Sequence, residues 1–215
     1  MKVFRIFDKV KRIFGTTEEA YRSLAYLSRK KRYDTDKDIG YLSNYEEFFR
    51  LLRLRKIKLL ELGINTGGSL LLWRDYFEKG IIAGLDLQRV NVADDTGRIH
   101  VCQGLQQDRD ILDKIGKEIA PNGFDIIIDD ASHIAEFTRI SFWHLFLHHL
   151  KPLGIYAIED WGTGYWDSWS DGKKYEFTSD STLNKYAIME NPELNLQRHS
   201  PNHSYGMVGF IKELI

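Results

Sequence analysis

"IKLLELGINTGGSLLLWRDYFEKGIIAGLDL", Ile57 to Leu87, holds a short apolar run ending in glycine, a helical stretch, and a second apolar run. Short apolar runs of this kind read as strands covered on both faces. The same alternation continues downstream. "RIHVCQG", "FDIIIDD" and "GIYAIED" read as three more strands, with helical "DRDILDKIGKEI" and "IAEFTRISFWHLFLHHL" between them. Strands alternating with helices predict a doubly wound α/β domain around a mostly parallel sheet. The C-terminal "LNLQRHSPNHSYGMVGFIKE" differs: two runs with polar alternation flank a Pro-Asn turn. That pattern predicts an antiparallel hairpin closing the sheet edge, for seven strands in all.

Residues 1–55 read as a helical N-terminal extension or lid, and residues 56–215 as the α/β domain. "TTEEAYRSLAYLSRKKR" opens with a capping-box-like start, and "SNYEEFFRLLRLR" offers Ser43 and Asn44 as N-caps. The polar "YDTDKDIGY" is expected to be the turn between them.

A chain of 215 residues with 43% hydrophobic and 28% charged residues is long enough for one sizeable core and is not a disordered sequence. Its net charge of −1 supplies no global basic field, so nucleic acid is not an expected partner. No apolar run approaches the roughly 20 residues of a membrane span. The basic, amphipathic "MKVFRIFDKVKRIFG" lacks the apolar core and cleavage site of a signal peptide. Packing on the domain is preferred for it over contact with a membrane surface or a partner. Cys102 is the single cysteine, so no internal disulfide can form and a reducing, cytoplasmic setting is expected.

In doubly wound sheets, ligands bind outside the carboxyl ends of the strands. The first tip, "GINTGGS", lets the backbone approach a ligand through Gly63, Gly67 and Gly68. Its spacing is not the dinucleotide pattern, because Asn65 stands two residues after Gly63, and it lacks the Lys-Ser/Thr of a P-loop. Asp86 ends the second strand, where a carboxylate accepts hydrogen bonds from ribose hydroxyls. A ribose-bearing, cationic cofactor without phosphates, such as S-adenosylmethionine, fits this loop with Glu61 and Asp86. A tight β–α turn without a ligand is the alternative.

The fourth and fifth tips, "DDASH" and "EDWGTG", bring carboxylates together if their strands are neighbours. Asp130, Glu159 and Asp160 form an oxygen-only set suited to Mg²⁺, Mn²⁺ or Ca²⁺ rather than Zn²⁺. His133, three residues after Asp130, is a candidate general base. The alternative is that Asp130 caps the following helix. Asp129 points away from Asp130 if the strand alternation holds, toward the cofactor side or the turn. His144 and His148 lie i, i+4, but no Glu or Cys accompanies them, and they are left out of the site. "WGTGYWDSWSDGKKY" is rich in aromatics that suit a sugar ring.

The chain resembles class I S-adenosylmethionine-dependent methyltransferases, and among them the metal-dependent sugar O-methyltransferases of the macrocin and mycinamicin type. The motifs that carry this are "TDKDIGYLSNYEEFF", "LLELGINTGGSLLLWRDYF", "GLDL", "VCQGLQQD", "FDIIIDDASH" and "GIYAIEDWGTGYW". The resemblance implies metal ligation by Asp130, Glu159 and Asp160, with His133 as base. It places the cofactor against Glu61, Gly63 and Asp86, with Gln106 near adenine. Asn65, Ser69 and Asp129 complete the candidate cofactor set. Tyr41, Trp161, Tyr165, Trp166 and His203 form the candidate acceptor set. Leu105 stands where the family usually has Asp, and no His occurs near Ile39 to Tyr41. The expected partner is a small-molecule or oligosaccharide acceptor, and a homo-oligomer is left open. Two other readings remain: a nucleotide-cofactor oxidoreductase or hydroxylase on the same fold, and a non-catalytic cofactor-binding subunit.

Overall fold

The computed structural model describes residues 23–31, 33–166, 168–173 and 206–215. Among the described residues two helices, α1 (Leu24–Lys31) and α2 (Ile39–Phe49), precede the sheet. Then follow β1 (Lys58–Leu62), α3 (Gly68–Tyr76), β2 (Ile81–Asp86), β3 (Ile99–Gln103), α4 (Arg109–Ile119) and β4 (Phe124–Asp129). The chain continues through α5 (Ala135–His148), β5 (Leu150–Ile158), a 3-10 turn (Trp161–Tyr165), α6 (Ser170–Lys173) and α7 (Gly206–Glu213).

The strands pair in the order β3-β2-β1-β4-β5, and every pairing is parallel. Among the described residues the sheet has five strands, not seven, and no antiparallel hairpin. The five expected strands are those observed. The correction falls on the C-terminal segment: Gly206–Glu213 is a helix. Its Met207 and Phe210 recur at helical spacing and are buried against Ala135 and Phe142 of α5. A buried carboxylate starts it, since the Met207 N–H donates to Asp171 Oδ2 at 2.9 Å. The same oxygen accepts from the Ala135 N–H of α5 at 2.9 Å, so one side chain ties two helix N-termini together.

Alternation along the strands feeds two cores. Leu59, Ile82, Ile126 and Ile128 pack with the α1, α2 and α3 side, around Phe49, Trp73 and Phe77. Leu60, Leu62, Ala83 and Ile127 pack with Leu112 and Ile115 of α4 and Leu145 of α5. Each fully buried Leu or Ile adds roughly 1.5–3 kcal/mol relative to exposure. Parity therefore decides which face each residue beyond a strand joins.

A second correction concerns α2. It begins at Ile39, and Asp38 is its N-cap, accepting from the Tyr41 N–H at 2.9 Å. Ser43 and Asn44 lie inside the helix, where the Ser43 hydroxyl donates to the Ile39 carbonyl at 2.7 Å. Asp38 wins because it offers its carboxylate before the first apolar-periodic residue. The last third of the supposed turn, Ile39 to Tyr41, is thus helix, and the remainder runs over the strand tips.

Candidate active site at the strand tips

The strand order reverses between β1 and β4, and their two loops touch there. The Asp130 N–H donates to the Leu62 carbonyl at 2.9 Å. A Cβ on Gly63 would stand 2.1 Å from the Asp130 carbonyl oxygen, and Gly63 adopts φ +78°. Both the contact and the left-handed backbone require glycine at this position.

Glu61, Asp130 and Glu159 share the parity of the α2–α3 core face on three neighbouring strands. They converge on a lysine. Lys37 Nζ lies 2.7 Å from Asp130 Oδ2, 2.7 Å from Glu159 Oε1 and 3.3 Å from Glu61 Oε1. Its side chain is 2% exposed. Glu61 is fully buried; its Oε2 accepts from Ser69 Oγ at 2.6 Å and Trp73 Nε1 at 3.2 Å. Its other oxygen, Oε1, accepts no hydrogen bond and faces the ammonium. The Tyr45 hydroxyl donates to Glu159 Oε1 at 2.6 Å, and the Tyr41 hydroxyl donates to Asp160.

Burial dominates the electrostatics of this cluster. It pushes Asp130 up to about 6 and raises Glu61 and Glu159, against the opposing pull of Lys37. Burial alone would lower Lys37, but Glu61, Glu159 and Asp130 outweigh it and hold the ammonium above its ordinary value. Three carboxylates surround one ammonium and Asp160 lies beyond them on Tyr41 and His133, so the cluster still favours further positive charge. The donors are all oxygen, which suits a hard divalent ion.

His133 faces the other side of Asp130. Its Nε2 lies 3.8 Å from Asp130 Oδ1 and 4.0 Å from Asp160 Oδ2. Burial lowers its pKa, against the pull of Asp160 and Glu159, so the imidazole is neutral at neutral pH. Ile134, not Asp130, occupies the N-cap position of α5, so capping does not explain the aspartate. Asn65, His133 and Asp160 adopt φ of +47°, +53° and +49°. These non-glycine residues in left-handed backbone sit at the tips of β1, β4 and β5, and such strain concentrates at functional sites.

All three line a cavity of about 370 Å³, along with Lys37, Asp86 and Asp130. An adjoining slot of about 230 Å³ shares Gly63, Asp86 and Ala131 with it and is walled by Leu85, Leu87, Leu105 and Phe137. Asp86 Oδ2 accepts from the Ile64 and Asn65 N–H groups at 3.0 and 3.1 Å, which fixes the glycine loop. Gln106 lines the slot with both amide ends engaged: Nε2 donates to Asp129 at 3.2 Å and Oε1 accepts from the Ser132 N–H at 2.9 Å. Asp129 points to the α5 face, away from Asp130, and accepts from Ser141 Oγ at 3.0 Å. Burial pushes its carboxyl up to about 7.

The acceptor set divides. Tyr41 reaches the carboxylates; Trp161 and Trp166 are exposed beyond Asp160, with Tyr165 half-buried in the same turn. His203 lies outside the described residues. Lys37 and Tyr45 were not among the sequence candidates, and Trp169 belongs to the aromatic loop that the sequence offered for a sugar ring. Trp169 lines the larger cavity and meets the His133 ring edge-on at 5.2 Å. The i, i+4 spacing of Tyr41 and Tyr45 was the available signal for one shared helix face.

No family model matches the chain. Curated relatives do. Mycinamicin VI 2''-O-methyltransferase of Micromonospora griseorubida is 40% identical over 146 residues, which is 63% of this chain and 35% of that protein. Demethylmacrocin O-methyltransferase of Streptomyces fradiae is 38% identical over 149 residues, 65% of this chain and 37% of that protein. MycE methyltransferase from the mycinamycin biosynthetic pathway, solved with Mg, SAH and mycinamycin VI, superposes with a TM-score of 0.61 at 29% identity, over 88% of this chain and 58% of that one. The similarity to sugar O-methyltransferases expected from the motifs is therefore borne out. The chain spans about a third of the length of the curated relatives it matches.

Proposed function

We propose that the chain is an S-adenosylmethionine- and Mg²⁺-dependent O-methyltransferase that acts on a hydroxyl of a sugar or glycoside. The observation that carries this reading is that Asp130, Asp160 and His133 line one cavity beside the Gly63 loop, with Glu159 behind them on Lys37, which lines the same cavity. MycE, of the same fold and above a quarter identical in sequence, is solved with Mg, SAH and a macrolide glycoside.

The two cavities would hold the cofactor between them, the apolar slot beside Leu105 and Phe137 suiting adenine and the acidic one suiting the sulfonium. The negative lining favours a cationic methyl donor over a polyphosphate. Asn65, Ser69, Gln106 and Asp129 hold the loops around it. Asp130, Glu159 and Asp160 would hold the Mg²⁺ (or Mn²⁺), which supplies Lewis-acid polarisation of neighbouring acceptor oxygens.

His133 Nε2 takes the proton of the acceptor hydroxyl, which its neutral imidazole can do at neutral pH. The O–C bond forms as the C–S bond breaks, and neutral S-adenosylhomocysteine leaves. Alignment of the oxygen, methyl carbon and sulfur supplies much of the rate. Trp161, Tyr165 and Trp166 offer apolar faces to the C–H side of a sugar ring at the cavity mouth. Residues 33–55, within the described part of the N-terminal extension, act as the lid over this site, since Lys37, Tyr41 and Tyr45 come from them. The setting is cytoplasmic; among the described residues no helix is long and apolar enough to cross a membrane.

Calorimetry with S-adenosylhomocysteine, NAD⁺ and Mg²⁺ tests the assignment. The reading expects S-adenosylhomocysteine and Mg²⁺ to bind, and Asp130→Asn to weaken Mg²⁺ binding. Binding of NAD⁺ with no response to S-adenosylhomocysteine would favour an oxidoreductase instead.

A further inference from the structure

A second cluster of metal-type donors sits at the opposite end of the sheet. His144 Nε2 and His149 Nε2 each lie 2.8 Å from one and the same oxygen, Asp113 Oδ1. Asp113 comes from α4, His144 from α5, and His149 is the residue that ends α5. The three donor atoms all lie within 4.8 Å of one another. The Phe124 N–H, at the start of β4, donates to the His149 carbonyl at 2.7 Å, so this cluster stands at the amino ends of the strands. It shares no residue with the catalytic cavity.

The cluster is built rather than splayed on the surface. The His149 and His144 side chains are 8% and 13% exposed. The His149 ring lies flat on α4, where a Cβ on Gly116 would meet its Nδ1 at 2.2 Å. Glycine at 116 is what lets the ring reach Asp113. The His148 ring stands 5.3 Å from that of His144, at the open side of the cluster. Lys117 holds the second oxygen of Asp113 at 2.7 Å and is largely exposed, so it orients the carboxylate without blocking Oδ1.

We propose that Asp113, His144 and His149 form a site for a borderline divalent metal such as Zn²⁺, clamping α4 to α5. Two imidazole nitrogens and one carboxylate oxygen are a nitrogen-rich set, unlike the all-oxygen catalytic cluster. Zn²⁺ takes such donors at about 2.0–2.2 Å in a tetrahedron, so neighbouring donors stand about 3.3 Å apart. The two imidazole–carboxylate contacts, at 2.8 Å, need to open by about 0.5 Å to reach that spacing, and the two imidazole nitrogens already stand within 4.8 Å of each other. Both imidazoles now donate Nε2–H to the carboxylate; on binding, each ring carries its proton on Nδ1 and turns the Nε2 lone pair to the ion. His148 or water completes the fourth position.

The test uses Co²⁺ as the probe, with Zn²⁺ as competitor, on full-length chain carrying Asp130→Asn and Glu159→Gln to disable the catalytic cluster. One Co²⁺ per chain should bind with the intense visible bands of four-coordinate nitrogen–oxygen ligation, and Zn²⁺ should abolish them. His144→Ala and Asp113→Asn, added singly, should each weaken binding at least tenfold while circular dichroism shows the fold retained. His144→Ala matters most, because that ring is the less buried and its loss spares the packing on Gly116. Absence of the bands in the parent, or a change under tenfold in both folded variants, would overturn the proposal.

Discussion

Lys37 shows how far one residue's meaning depends on distance along the chain. Between Asp36 and Asp38 it reads as part of a solvated charge run, yet it is buried against Glu159, 122 positions away. Lys37→Met strands the buried Glu61 and Glu159 and the half-buried Asp130 without their counterion, and such losses cost about 3–5 kcal/mol. Chemical denaturation should show that loss, and saturating Mg²⁺ should make it smaller. His133 was legible, because it follows the carboxylates of a strand tip by three residues. His133→Ala should lower the methyl-transfer rate on the order of 10²–10⁴-fold while leaving calorimetric binding of S-adenosylhomocysteine intact. Its neighbour Asp129 sits on the opposite face by strand parity alone. The adjacent aspartates therefore serve different surroundings, one among Ser141 and Gln106 and the other beside Lys37 and His133.

At the scale of elements, the parallel strands announce themselves because burial on both faces leaves unbroken apolar runs. The C-terminal hairpin misled because "YGMVGFIKE" alternates weakly while also placing Met207 and Phe210 at helical spacing. Its burial against Phe142 decides the matter, and α5 cannot be located from that segment alone. The β2–β3 connection depends on Asp94, which accepts from the Thr96, Arg98 and Ile99 N–H groups at 3.0, 2.8 and 2.9 Å and from Arg74 at 3.0 Å. Burial pushes its carboxyl up, but hydrogen bonds from Thr96 and Ile99, with Arg74, outweigh it and hold it well below the usual range. A depressed carboxylate stabilises the fold above its unfolded value of about 3.9 and loses that contribution as pH falls below it. Asp94→Ala should therefore cost on the order of 1–3 kcal/mol at pH 7. In urea titrations the gap between variant and parent should narrow at pH 3; a constant gap would refute the role given to the ionised carboxylate.

Across the whole molecule, the sheet keeps its chemistry at two ends. The carboxyl ends of β1, β4 and β5 gather the acidic cavity, and the segment ahead of α2 closes over it with Lys37 while α2 adds Tyr41 and Tyr45. The sequence exposes the strand-tip half of that cavity, because tips follow strands. It hides the α2 half, because nothing local says where a helix 60 or more residues upstream of β4 will fold. Methyl transfer by this chain is proposed to need both the acidic cluster and a divalent ion. The most direct measurement is transfer of a labelled methyl group from S-adenosylmethionine to a panel of deoxysugar glycosides, with and without EDTA. The account predicts transfer to at least one hydroxyl-bearing sugar, abolished by EDTA and restored by Mg²⁺. Transfer that proceeds unchanged in EDTA would contradict it.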